Sequence, residues 1–66
     1  MSIKQAQKIL NNDGIMWEVQ KVLSAPATGK YKRYIFECSF TRPDGTGFDG
    51  KIFYDEKIGI IRIAEV

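Results

Sequence analysis

The stretch YKRYIFECSFT, residues 31–41, decides the fold of this 66-residue chain. Its large or apolar side chains fall on every second position, at Tyr34, Phe36, Cys38 and Phe40. Because successive side chains of a β-strand point to opposite faces, this alternation predicts a strand with one buried face. Such a strand needs neighbouring strands and a further layer to cover its apolar side.

Further strands are predicted on both sides of this one. From Ile15 to Leu23 the odd positions are mostly apolar, whereas Met16 and Val22 belong to the other face. Lys21 interrupts the apolar row, which indicates a snorkelling lysine or a nearby bulge. Two more strands are expected, from about Phe48 to Tyr54 and from Ile60 to Val66, the last with Ile61 and Ile63 on one face.

Turn residues mark the connections between these strands. Residues 24–30 have the composition of a loop, and residues 42–47 combine proline, aspartate and glycine as a tight turn requires. Residues 55–59 form the last turn, and Gly50 inside the third strand indicates a bulge or a close-packing point. Because short connections favour neighbouring antiparallel strands, we expect a β-meander.

The N-terminal segment has the period of a helix. Ser2 and Gln5 have the spacing of a capping box, and Gly14 can supply the left-handed residue that ends a helix. Apolar residues recur between them at three- and four-residue steps. This stripe comprises Ile3, Ala6, Ile9 and Leu10, with Lys4, Gln7, Lys8 and Asn11 mostly on the other side.

Length and composition suit one α+β domain spanning residues 1–66. An apolar fraction of 44% is enough for a core, although a chain this short buries only about 60% of its unfolded surface. We therefore expect an N-terminal amphipathic helix packed on one face of a three- or four-stranded antiparallel β-meander. One helix covers one face of such a sheet and leaves the second face open.

The second, helix-free face also carries apolar residues. Near-continuous apolar runs at residues 34–36, 52–54 and 60–61 differ from the alternation expected of a half-solvated sheet. They are either scattered surface hydrophobes, which folded proteins tolerate, or a contact surface. We expect a contact surface for a protein partner or for a second copy in a homodimer. The residues expected to make this contact are Arg33, Ile35, Lys51, Phe53 and Arg62.

Catalytic chemistry has little support in the sequence. The chain has no histidine to act as a base, and its one cysteine, Cys38, lies among aromatic strand residues as a buried thiol would. Several aspartates fall in predicted turns, where they organise the backbone. Residues 44–50 resemble a calcium loop in composition but lack its alternating oxygen ligands. We expect no enzyme activity, no metal and no cofactor.

Charge leaves nucleic acid as an alternative partner. The net charge is +2, with six basic and two acidic side chains in residues 1–34 and four basic and six acidic in residues 35–66. Arg33, Lys51 and Arg62 could share the helix-free face with Tyr31, Ile35 and Phe53, and single-strand binding needs basic groups interleaved with aromatic ones. Glu37 is expected on the same face and opposes this interpretation.

Targeting signals are not visible in the sequence. No apolar run approaches the roughly 20 residues that cross a bilayer, so we expect no membrane partner. The first residues lack the apolar core of a signal peptide, and a lone cysteine suits a reducing compartment. We expect a cytoplasmic protein.

The order of elements resembles that of PepSY-type domains. The resemblance rests on one helix followed by strands, with Asp55-Glu56-Lys57-Ile58-Gly59 as an Asp-x-x-x-Gly turn before the apolar pair Ile60-Ile61. It implies an inhibitory or chaperone-like module that acts on another protein. The residues themselves predict a small non-enzymatic protein-interaction module of the inhibitor or adaptor type, and alternatively a nucleic-acid-binding accessory protein.

Overall fold

The helix comes first and docks on the sheet that follows it. A computed structural model describes the backbone of residues 1–28 and 33–66, and the side chains of residues 1–24 and 33–66. In these residues the elements are α1 (Ile3–Asn12), β1 (Glu18–Thr28), β2 (Arg33–Thr41), β3 (Gly47–Asp55) and β4 (Gly59–Glu65). The strands pair antiparallel in the order β1-β2-β3-β4, which confirms the predicted helix on a β-meander.

Helix α1 begins and ends at the predicted caps. The Ser2 hydroxyl accepts from the Gln5 N–H at 3.1 Å, and the Gln5 side chain accepts from the Ser2 N–H at 2.8 Å, which completes a capping box. At the other end the Ile15 N–H donates to the Leu10 carbonyl at 3.0 Å. Gly14 makes this return possible because its φ of 73° lies in the left-handed region.

The core lies between α1 and the face of the sheet beneath it. Its buried apolar residues are Ala6, Leu10, Val19, Phe36, Cys38, Phe40 and Ile52. Gly50 is a close-packing point of this core, because a Cβ there would lie 3.1 Å from the Phe40 ring. The β2–β3 register passes Gly50 without a shift, so the alternative of a bulge at this glycine is wrong.

Two polar side chains fasten α1 to the edge strands of the sheet. The Gln7 amide donates to the Trp17 carbonyl at 2.9 Å and accepts from the Val19 N–H at 2.8 Å. The Asp13 carboxylate accepts from the Ile60 N–H at 2.7 Å. The prediction that Gln7 lies on the polar side of the helix is wrong, because its amide faces β1 and hydrogen-bonds to the Trp17 carbonyl and the Val19 N–H.

Strand β1 starts later and runs further than predicted. It begins at Glu18 and continues to Thr28, through most of the segment predicted as a loop. Residues 29–30 of that loop, like residues 31–32 of the predicted second strand, lie outside the described residues. The register against β2 shifts between Ser24 and Ala27, so Pro26 has no paired residue there. This suits an edge strand, because proline has no N–H to donate.

A bulge near Lys21 changes which residues of β1 face the core. The register against β2 shifts between Val19 and Lys21, as the sequence indicated. Val22 therefore pairs with Cys38 and packs against the core, and Leu23 is 40% exposed. The predicted alternation, with Leu23 in the apolar row and Val22 on the opposite face, is wrong beyond this bulge.

A bulge also lies at the start of β4. Tyr54 pairs with Ile60 and Phe53 pairs with Arg62, so Ile61 is an extra residue. Ile60 and Ile63 consequently both pack against the core, although an odd number of positions separates them. The predicted grouping of Ile61 with Ile63 is therefore wrong, since strict alternation holds only in a strand without a bulge.

Candidate functional site

The helix-free face is the side of the sheet whose side chains point away from α1. Its central row joins Ile35, Phe53 and Arg62, which stand directly opposite one another on β2, β3 and β4. Ile35 is 41% exposed and Phe53 is half-buried. The guanidinium carbon of Arg62 lies 5.4 Å from the centroid of the Phe53 ring, a cation–π distance. The row is thus an apolar strip that ends in a stacked arginine.

Arg33 stands beside this strip and is held by a buried carboxylate. Its Nε donates to Asp55 at 3.3 Å. Asp55 also accepts from the N–H groups of Lys57 and Ile58 at 2.8 and 3.1 Å. These backbone hydrogen bonds first, and Arg33 after them, hold the pKa of Asp55 below its ordinary value. The turn therefore fixes Asp55, and Asp55 in turn fixes the guanidinium at the edge of the strip.

An open hollow of about 250 Å³ lies over the central row. Its walls include Arg33, Ile35, Phe53, Ile61 and Arg62. Ile61, which is 50% exposed, contributes because the β4 bulge releases it from the core-facing row. Tyr34 and Tyr54 also line it, so two arginines border a hollow whose other residues are aliphatic or aromatic. We call this feature the arginine-bordered hollow.

The half of the helix-free face that lies beyond the central row, away from Arg33, has mixed charge. Lys51 stands directly opposite Glu37 on β2, so the expectation that Glu37 shares this face is met. In the next row the Ser39 hydroxyl donates to the Asp49 carboxylate at 2.7 Å. Basic and acidic groups therefore alternate along the face instead of forming one basic strip.

The structure brings the predicted contact residues together on one surface. Arg33, Ile35, Phe53 and Arg62 line the arginine-bordered hollow, whereas Lys51 lies one row away from it. Tyr31, which the nucleic-acid alternative also used, lies outside the described residues. Sequence reasoning missed Ile61, and the one available signal was the odd spacing of isoleucines in residues 60–63.

A second concave region lies between α1 and the open end of the sheet. This groove of about 550 Å³ includes the rings of Tyr34 and Tyr54, 6.0 Å apart, with Lys8 and Ile9 of the helix. The Tyr34 hydroxyl donates to Glu56 at 2.6 Å, and this bond is the main cause that raises the pKa of Tyr34 above its ordinary value. A phenol with a raised pKa stays protonated near neutral pH, so Tyr34 offers the groove aromatic surface and not a phenolate nucleophile.

The thiol of Cys38 is sequestered in the core. It is fully buried between α1 and the sheet, and burial, followed by the charge of Glu37, raises its pKa to about 11. A thiol is nucleophilic as its thiolate, which this environment disfavours. Among residues 1–28 and 33–66, no cluster of His, Cys, Asp and Glu side chains could hold a metal ion. In the same residues, no helix is long and apolar enough to cross a membrane.

Comparisons with known proteins give no relative whose binding surface could be compared with the helix-free face. No protein-family model matches the chain, and no curated protein and no solved structure matches it either. The resemblance to PepSY-type domains is therefore one of element order and of the 55–59 turn.

Proposed function

We propose that the protein is a small non-enzymatic interaction module, of the inhibitor or adaptor type, that binds a protein partner through its helix-free face. The observation that carries this proposal is the row Ile35–Phe53–Arg62, which presents an apolar strip to solvent. Phe and Arg are enriched at protein interfaces, where a few such residues supply most of the binding energy. The row combines both types beside a hollow.

The rigidity of the row supports this function. Phe53 lies on β3, a strand paired on both of its edges, and Arg62 is stacked on it. The guanidinium of Arg33 is oriented by Asp55. Side chains that are already ordered lose less conformational entropy on binding, so more of the contact energy appears as affinity.

A nucleic-acid partner is the weaker candidate for the same face. Single-strand binding needs free aromatic faces on which bases stack and a groove of one charge sign. Here Arg62 lies over the Phe53 ring, and Glu37 and Asp49 occupy the rows that a phosphate backbone would follow.

A second copy of the chain is the alternative protein occupant. A two-fold interface would use the same patch on both subunits and bring the two central rows together. Light scattering after size-exclusion chromatography separates the two cases. A dimer that dissociates in Phe53→Asp identifies self-association, whereas a monomer points to a different protein.

The proposed function is tested by affinity capture with matched surface variants. Ile35→Asp combined with Phe53→Asp places two carboxylates in the apolar strip. Ile58→Asp is the control, because Ile58 is 71% exposed and lies in the β3–β4 turn. We expect proteins captured by the wild type and by Ile58→Asp to be lost from the double variant, and the purified partner to bind with the same dependence.

Unchanged capture by the double variant, in a strictly monomeric protein, would show that the helix-free face is not the binding surface. Circular dichroism of each variant checks that the fold is retained. We also propose that this module acts in the cytoplasm, where the lone thiol of Cys38 would remain reduced. Fractionation of cells that express the tagged full chain tests that location.

A further inference from the structure

Arg62 has no ion pair with the part of the chain that the structure describes. The ion pairs there join Arg33 to Asp55 and Arg42 to Glu65. Arg62 instead stacks on Phe53, and its side chain is exposed. A guanidinium that lies over an aromatic ring can still offer N–H donors, and those donors match a carboxylate in geometry and charge.

The arginine-bordered hollow therefore has an excess of positive charge. Asp55 compensates Arg33, and no carboxylate among the described residues compensates Arg62. The remaining lining residues are the apolar Ile35, Phe53 and Ile61 together with Tyr34 and Tyr54. At about 250 Å³ the hollow is smaller than the roughly 300–1,000 Å³ of typical small-molecule sites, so it suits one apolar side chain of a partner.

The charges around the hollow favour a short acidic segment over a polyanion. A carboxylate beside an inserted side chain would meet Arg62 without leaving the central row. A chain of phosphates would continue along the strands past Glu37, Lys51 and Asp49, where two acidic groups outnumber one basic group and oppose it. The charge pattern therefore selects an anionic group close to the hollow and opposes an extended one.

Resting on the proposed function, we infer that the partner presents an aliphatic or aromatic side chain with an adjacent Asp or Glu. The apolar side chain enters the hollow between Ile35, Phe53 and Ile61, and the carboxylate pairs with the guanidinium of Arg62. Arg33 also borders the hollow, but its charge is already compensated by Asp55. The occupant is thus a protein segment of apolar and acidic character.

Three capped tripeptides test this inference with the isotopically labelled full chain. The probes are acetyl-Glu-Leu-Glu-amide, acetyl-Gln-Leu-Gln-amide and acetyl-Lys-Leu-Lys-amide, titrated while backbone amide NMR shifts are recorded. We expect the acidic peptide to shift amides around Ile35, Phe53 and Arg62. Its affinity should exceed that of the glutamine peptide about five-fold, the effect of one exposed ion pair, with the lysine peptide weakest.

Variants assign the preference to one guanidinium. Arg62→Gln should remove the difference between the acidic and glutamine peptides, and Arg62→Lys should restore part of it because the charge returns. Lys4→Gln is the matched control, since it removes the same charge from an exposed position on α1. It should leave the preference unchanged, which separates local pairing from net charge.

Other outcomes overturn the inference in distinct ways. Equal shifts from all three peptides would refute the acidic partner while leaving the helix-free face as a binding surface. No amide shift at the central row with any peptide would refute the inference. The proposed function would then be tested by the capture experiment alone. Stronger shifts from a decathymidylate, or concentration-dependent shifts of the protein alone, would assign the hollow to nucleic acid or to a second copy.

Discussion

The carboxylate of Asp13 accepts a hydrogen bond from the backbone N–H of Ile60 at 2.7 Å, although the two residues are 47 positions apart. The bond joins the end of α1 to the start of an edge strand. Edge strands expose backbone donors that invite pairing with other chains. Asp13 takes one of these donors and fixes the helix over β4 at the same time.

Gly59 is expected to be essential for this contact. Its φ is 97°, and a Cβ there would lie 2.7 Å from Asp13 Oδ1. Gly59→Ala should therefore cost about 2 kcal/mol of unfolding free energy, from backbone strain and the loss of one hydrogen bond. Urea unfolding followed by Trp17 fluorescence measures it.

Gly45→Ala is the matched control for this substitution. Gly45 has a φ of 91°, and a Cβ there would meet open space, so the added methyl group brings strain without a contact. We expect about half the loss seen for Gly59→Ala. Equal losses in the two variants would show that the Asp13 contact contributes nothing.

Gln7 should be the most costly polar side chain to remove from α1. Gln7→Ala leaves the Trp17 carbonyl and the Val19 N–H without their partner, at a cost of about 1–2 kcal/mol. Gln7→Glu keeps an acceptor for Val19 but faces the Trp17 carbonyl with a carboxylate, so it should not rescue stability. Chemical denaturation measures both, with exposed Lys8→Ala expected to stay within about 0.5 kcal/mol of wild type.

Cys38 should make stability fall at alkaline pH. The pKa of its thiol is raised from 9.0 to about 11 in the folded chain. Burial of the neutral thiol therefore contributes fully below pH 9.0, and that contribution is lost as the pH rises through about 11. The difference in unfolding free energy between the wild type and Cys38→Ala should narrow across this range. A difference that does not depend on pH would contradict the buried neutral thiol.

Asp55 should have the opposite dependence in acid. Its pKa is lowered from 3.8 by the N–H groups of Lys57 and Ile58 and by Arg33. The stability that its carboxylate contributes is present above pH 3.8 and is lost as the pH falls through the lower folded-state value. Acid titrations of the wild type and Asp55→Asn should converge in that range.

Local signals in the sequence were sufficient for the elements of the fold. Ser2 and Gln5 identify the helix start because a capping box depends on residues three apart. The alternation around Phe36 identifies β2 because its pairing with β3 has no shift. The predicted end of β1 is wrong because proline is typical of loops, whereas an edge strand can include Pro26 at a register shift.

The candidate site depends on information that alternation does not contain. The sequence placed Ile35 and Phe53 on one face, and the pairing register puts them side by side. The stacking of Arg62 and the inclusion of Ile61 follow from a bulge, which shifts every later residue by one position. The odd spacing of isoleucines in residues 60–63 is the one local sign of that bulge, and it does not say which residue is the extra one.

Because Ile61 is an extra residue in β4, the helix-free face can change while the core stays the same. Loss of this one codon would leave Ile60 opposite Tyr54 and Arg62 opposite Phe53, as they are now. The strand would become regular, the core would keep its side chains, and the hollow would lose one wall. Evolution could therefore retune what this protein recognises by a single insertion or deletion, without having to rebuild what keeps it folded.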